Sequence, residues 1–283
     1  MPIRPHHHLR VLVALATLGL ASFGLVTSAS ARTTPKSTAS GHSTAPKPTV
    51  VLVHGAFADS SGWYGVIDQL HRDGYHVRAA PDPLLGLQFD AATVRGFLDS
   101  IKGPKVLVGH SYGGAVITQA ASGDPDVKAL VYAAAFAPAR GEVLSDLLKK
   151  PVAHPIAPLP LVPVPVTQPD GTMRTDIYLD RPKFRARFAG DLSRRLTANL
   201  AATQPPTSAA AFAAKLTVKP AWETIPSWFL VAKQDKAIAP DLERFMARRI
   251  HAHTSEIKSS HAIYISHPKA VARLAEQAAR ATR

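Results

Sequence analysis

The chain has 283 residues, enough for one large or two small domains, and 46% of them are hydrophobic, enough for a sizeable core. Cysteine is absent, which excludes a disulfide scaffold, a thiolate metal site and a cysteine nucleophile. The formal net charge is +13, yet Lys and Arg are scattered with little aromatic interleaving, a pattern that argues against nucleic acid as a partner.

Arg4 and Arg10 precede an apolar stretch from Val11 to Val26, and Ala29-Ser30-Ala31 supplies small residues for cleavage. Residues 1–31 read as a signal peptide cleaved after Ala31, which predicts a secreted or extracytoplasmic protein. The competing reading is an uncleaved anchor, because Leu9 to Val26 reaches about 18 residues, the lower range for a spanning segment. The A-x-A site favours export, with no integral membrane span after cleavage. Loss of Arg4 and Arg10 leaves 31 basic against 20 acidic residues, a net charge of +11. Weak adhesion to anionic envelope polymers is expected of such a protein. Residues 32–48 are rich in Thr, Ser, Pro and Lys without apolar periodicity and read as a disordered linker.

A folded domain is expected over residues 49–283. Thr49 to Val53 is a β-branched strand run ending directly at His54-Gly55-Ala56-Phe57. A helix follows from about Trp63 to Arg72, closed by Gly74. Tyr75 to Ala80 is a strand broken by Pro81 and Pro83, and Phe89 to Ile101 has helical spacing that stops before Gly103-Pro104. Lys105 to Val108 is an apolar run of the kind that fills a strand buried on both faces, and a helical pattern runs from Ala115 to about Ser122. Val127 to Ala134 is the next strand. The alternation then pauses. Residues 139–221 read as an inserted cap containing a proline-rich extended arm from Pro151 to Pro169, unable to join a central strand. A turn at Pro169-Asp170-Gly171-Thr172 and weak helices at Lys183 to Phe188 and Leu192 to Ala202 follow. Ile156, Leu159, Leu161, Val162 and Val164 of the arm either line a pocket or pack on the cap's own helices. Strand Ser227 to Ala232, helix Leu242 to Ile250, strand Ser255 to Lys258 and helix Lys269 to Arg280 complete the chain. The pattern predicts an α/β fold: a doubly wound, mostly parallel sheet of about six strands with an inserted cap.

Gly109-His110-Ser111-Tyr112-Gly113 matches G-x-S-x-G, in which a strained strand-to-helix turn holds a serine hydroxyl above the sheet edge. A serine hydroxyl needs a base, itself held by a carboxylate. Asp235 and His261 each follow a strand, on loops at the carboxyl end where open parallel sheets carry their sites. The chain order Ser111, Asp235, His261 is that of α/β-hydrolases. His267 is the rival base, just before Pro268, and Asp241 and Glu142 are rival acids. Backbone N–H groups of Tyr112 and Ala56 are the expected oxyanion donors. His54 reads as a residue that shapes the loop.

With these pieces in place, the sequence resembles the α/β-hydrolase superfamily from Thr49 to Arg283. VVLVHGAFADSSGW, VLVGHSYGGAVI, VKALVYAAAFAP, LVAKQDKAIAP and SSHAIYISHPKAV are similar to the branch of plant methyl-ester esterases, hydroxynitrile lyases and bacterial pyrethroid-hydrolase-type esterases. The resemblance implies a Ser111, Asp235, His261 triad, Ala56 and Tyr112 as oxyanion donors, and neither metal nor cofactor. A hydroxynitrile lyase of this kind is expected to carry Thr at the position of Gly55 and Lys where this chain has Ala262, which argues against cyanohydrin cleavage. Ser111 in place of Asp excludes the haloalkane dehalogenase mechanism. The expectation is a secreted serine hydrolase acting on small-molecule esters. A lipase, a cofactor-free perhydrolase and a non-turnover receptor of the same fold are the alternatives.

Overall fold

Along strand β1 (Thr49–Val53), Val50 and Leu52 point to one hydrophobic cluster and Val51 and Val53 to another, all four without exposed surface. A strand apolar on both faces must be covered on both, and the chain supplies helices to do it. The computed structural model describes residues 46–282; the expected signal peptide and nearly all of the expected linker lie outside the described residues. In chain order, β1 is followed by α1 (Tyr64–Arg72), β2 (Val77–Ala79), α2 (Leu87–Asp99), β3 (Lys105–His110), α3 (Tyr112–Ala120) and β4 (Val127–Ala133). The next segment holds α4 (Leu144–Leu147), β5 (Leu161–Thr167), β6 (Met173–Leu179), α5 (Arg181–Phe188), α6 (Arg194–Thr203), β7 (Thr207–Ser208) and α7 (Ala210–Ala213). Then come β8 (Ser227–Ala232), α8 (Pro240–Arg249), β9 (His253–Ile257), α9 (Ile263–Ser266) and α10 (Pro268–Ala281).

Six strands form one sheet in the order β2-β1-β3-β4-β8-β9, every neighbouring pair parallel. Helices α1 and α10 cover one face with Val66, Leu70, Val271 and Leu274, and α2, α3 and α8 cover the other with Leu98, Ile117, Leu242 and Met246. Each such side chain contributes about 1.5–3 kcal/mol relative to exposure. The chain leaves β1 for β2 at one edge, then returns past β1 to β3 and works outward to β9. That reversal opens a crevice at the carboxyl ends of β1 and β3, where ligands of open α/β sheets bind. Among the described residues no helix is long and apolar enough to cross a membrane.

Between β4 and β8 the cap contains a second, antiparallel sheet of order β5-β6-β7. This differs from the expected arm: Pro151 to Pro160 is irregular, but Leu161–Thr167 is a strand. The physical reason is its place at an edge. Pro163 and Pro165 are two residues apart, so both occupy positions whose missing N–H would point away from β6, and the pairing to β6 loses nothing. The expected turn joins β5 to β6, closed by the Gln168 N–H on the Thr172 carbonyl at 2.8 Å with Gly171 at φ 82°. The short helix α9 had no counterpart in the sequence reading.

Candidate active site

Strand β3 delivers Ser111 to the crevice in a backbone conformation that side chains rarely adopt, φ 52° and ψ −122°. Such a conformation costs about 1–3 kcal/mol and persists only where surroundings enforce it. Here they do. The Ser111 carbonyl accepts the N–H groups of Gly114 and Phe136, both at 3.0 Å. A Cβ on Gly113 would lie within 2.5 Å of the Val53 carbonyl oxygen, and one on Gly109 within 2.6 Å of the Gly113 carbonyl oxygen. Only hydrogen at these positions lets the turn pass so close to the end of β1.

The structure brings Ser111, Asp235 and His261 into one hydrogen-bonded line, all three buried. His261 Nε2 is 2.8 Å from Ser111 Oγ, and His261 Nδ1 is 2.5 Å from Asp235 Oδ2. The other carboxylate oxygen, Oδ1, accepts the Ala237 and Ile238 N–H groups at 2.6 and 2.9 Å, which fixes its rotation. Asp235 follows β8 and His261 follows β9, each on the loop predicted for it. The rivals sit elsewhere. His267 precedes α10 with Nδ1 2.8 Å from Ser266 Oγ. Asp241 lies in the first turn of α8 and binds His154 and Arg244, although its side chain does not cap that helix. Glu142 holds the Ala139 N–H and pairs with Arg249.

Tyr112 opens α3, so its N–H has no partner within the helix. Neither it nor the Ala56 N–H meets a protein acceptor among the described residues. The loop carrying Ala56 presses against the serine: a Cβ on Gly55 would be 2.6 Å from Ser111 Cβ and 3.2 Å from its Oγ. His54 is buried with Nδ1 3.1 Å from the Gly55 carbonyl, and burial lowers its basicity, in keeping with a loop-shaping residue. The Tyr112 hydroxyl donates to Asp90 at 2.7 Å, tying α3 to α2.

Two residues at the site escaped sequence reasoning. His110 is fully buried, and its Nε2–H donates to the His261 carbonyl at 2.9 Å, so the loop carrying His261 is held from beneath. Burial first, and the neighbouring His261 ring second, keep His110 neutral by pushing its pKa well below the usual histidine range. Glu243 on α8 is equally buried and reaches the end of β8. It shares the helix face of Met246 and Ala247, so an acid on an apolar stripe was the available sign.

The space beside Ser111 and His261 is small, about 10 Å³, enough for about one water. Beyond it the cap borders a half-open apolar chamber of about 750 Å³. Phe57, Leu148, Leu159, Phe212 and Ala237 line both spaces and form the wall between them. Of the arm's five apolar candidates, Ile156, Leu159 and Leu161 line the chamber, and Leu161, Val162 and Val164 are exposed on β5. The cap also grips the His261 loop: Phe188 packs edge-on against the His261 ring, and its carbonyl accepts the Ala262 N–H at 3.0 Å.

Residues 50–274 match the model of the alpha/beta hydrolase family. An alpha/beta hydrolase of Aspergillus novofumigatus, nvfD, is 26% identical over 259 residues, covering 82% of this chain and 97% of that relative. Polyneuridine aldehyde esterase superposes with a TM-score of 0.69 at 18% identity, covering 82% of this chain and 99% of that structure. A pyrethroid hydrolase from Sphingobium faniae JZ-2 superposes with a TM-score of 0.66 at 23% identity, covering 83% and 98%. The family match spans the sheet, the serine turn and both loops that bring Asp235 and His261 to it, and the chain belongs to the alpha/beta hydrolase family.

Proposed function

We propose that the protein is an exported serine hydrolase that cleaves carboxylic esters of small apolar molecules through an acyl-enzyme. The observation that carries this reading is the Ser111–His261–Asp235 line beside two open backbone N–H groups. His261 Nε2 takes the hydroxyl proton as Ser111 Oγ attacks the ester carbonyl, while Asp235 holds the Nδ1–H and stabilises the imidazolium. The Ala56 and Tyr112 N–H groups receive the oxyanion. Collapse breaks the ester C–O bond, and His261 gives its proton to the leaving alcohol. Water then enters, loses a proton to the same nitrogen and attacks the acyl-enzyme, releasing the acid and restoring Ser111. The names of the structural neighbours, an esterase and a pyrethroid hydrolase, support an ester as substrate, and the chamber supports an apolar one.

The test is turnover of p-nitrophenyl esters by the chain from residue 32 onward, with Ser111→Ala as control. Rapid hydrolysis by the parent and none by the variant is expected. kcat/KM should rise with pH as the imidazolium loses its proton, and a chelator should leave the rate unchanged because each step uses only side chains and backbone. Tight binding of the esters without turnover would instead mark a receptor, and a jump in rate on emulsified triglyceride a lipase. Export is checked by fractionation of cells and medium, which should find the chain outside and beginning after Ala31.

A further inference from the structure

Behind the Asp235–His261 pair lies a second buried carboxyl that the mechanism above leaves unused. Glu243 is fully buried in α8, one turn inside the helix that follows the Asp235 loop. Its Oε2 accepts the N–H of Ala232, the last residue of β8, at 3.1 Å. Its Oε1 meets no hydrogen-bond donor, and the Asp235 carboxyl is its charged neighbour. Two carboxyl groups can share a hydrogen bond only if one of them is protonated, and two buried anions in contact repel strongly.

The surroundings decide which one. Asp235 receives three N–H groups, from His261, Ala237 and Ile238, and faces the ring that gains a positive charge during reaction. Glu243 receives one. Arg244 is next in sequence, but its guanidinium is spent on Glu256 and Asp241. Burial first, and the Asp235 charge second, push the Glu243 carboxyl well above the usual carboxylate range. We propose that Glu243 carries a proton and donates a hydrogen bond to Asp235, a positioning residue that holds the acid in the rotation His261 requires. An ionised Glu243 would instead add a second negative charge behind the imidazolium and leave Oε1 without a donor.

The proposal is tested in two arms. The activity arm rests on the reading of Asp235 and His261 as catalytic, and the stability arm does not. Glu243→Leu removes the donor and should lower kcat about tenfold, the weight of one hydrogen bond to a charged group, and move the acidic limb of kcat/KM to higher pH as the unshared Asp235 charge holds the imidazolium more tightly. Glu243→Gln keeps a neutral donor and an acceptor for Ala232, and should restore most of the rate and return the limb to its place. In the stability arm, an acid whose folded value is raised contributes stability below about pH 4.5 that is lost as pH rises toward that folded value. The Tm of Glu243→Gln should therefore gain steadily on the parent above that pH. A gap between the two that does not change with pH, or a limb that Glu243→Gln moves to lower pH, overturns the proposal. If the parent hydrolyses no ester, the functional reading fails while the Tm series still locates the proton.

Discussion

In the proposed mechanism Ser111, His261 and Asp235 act through one another, so their losses should not add: Ser111→Ala, His261→Ala and the double variant should each lower kcat by several orders of magnitude to the same floor. Single-turnover kinetics on a p-nitrophenyl ester checks this, and near-parental activity in His261→Ala with loss in His267→Ala would reassign the base. That Ser111, Asp235 and His261 come together was legible from the sequence, because each lies on a turn or loop that follows a strand and the sheet collects strand ends at one edge. His110 and Glu243 were not. Both lie within the core: His110 meets the His261 carbonyl across 151 positions, and Glu243 reaches the Ala232 N–H at the end of the preceding strand. An acid on the apolar stripe of α8 was the one local sign of Glu243, and none marks His110, since a buried polar side chain is defined by what surrounds it.

At the scale of elements, the turn at Ser111 depends on the absence of side chains where it crosses β1. Gly113→Ala would drive a methyl group into the carbonyls of Val53 and His54, backbone that cannot yield, and should destabilise the fold by about 1–3 kcal/mol as measured by denaturant unfolding. The strands of the main sheet were readable as short, largely apolar runs, as in the fully buried β3 and β8, and its helices by their apolar spacing. Strand β5 was not, since both its faces are largely exposed and its Val-Pro-Val-Pro-Val run reads as a proline arm. Leu159, on the irregular stretch before β5, stands in the wall between the small space at Ser111 and the chamber. Leu159→Trp should narrow that wall, lowering kcat/KM for long-chain esters more than for acetate while leaving Tm nearly unchanged. An equal loss on every ester, with a lower Tm, would place Leu159 in the cap's own core.

For the whole molecule, the sheet separates two cores, and acidic residues buried at the edge of one make stability depend on pH. Asp90 receives the Tyr112 hydroxyl and the Leu85 and Gly86 N–H groups. Asp82 is buried beside it, and burial first, with the Asp90 charge second, pushes its carboxyl well above the usual range. A raised acid is protonated in the folded chain after it has ionised in the unfolded one, so its contribution is complete below about pH 4 and falls as pH rises. Asp82→Asn should therefore match the parent most nearly in acid and become the more stable protein toward alkaline pH, as a Tm series would read. A parent that gains on the variant instead would mean that Asp82 is ionised.

The insertion of the cap between β4 and β8 has one more consequence. Ser111 lies before it, and Asp235 and His261 lie after it. Opening the chain at the exposed β5–β6 turn, between Asp170 and Gly171, would thus yield two pieces of which one carries Ser111 and the other Asp235 and His261. Each piece holds strands whose edges and apolar faces are completed only by the other: β4 pairs with β8, and α10 from the second piece covers β1 and β3 from the first. On the proposed mechanism neither half alone should hydrolyse an ester. The two expressed separately should complement each other, and the colour of released p-nitrophenol would count the reassembled molecules.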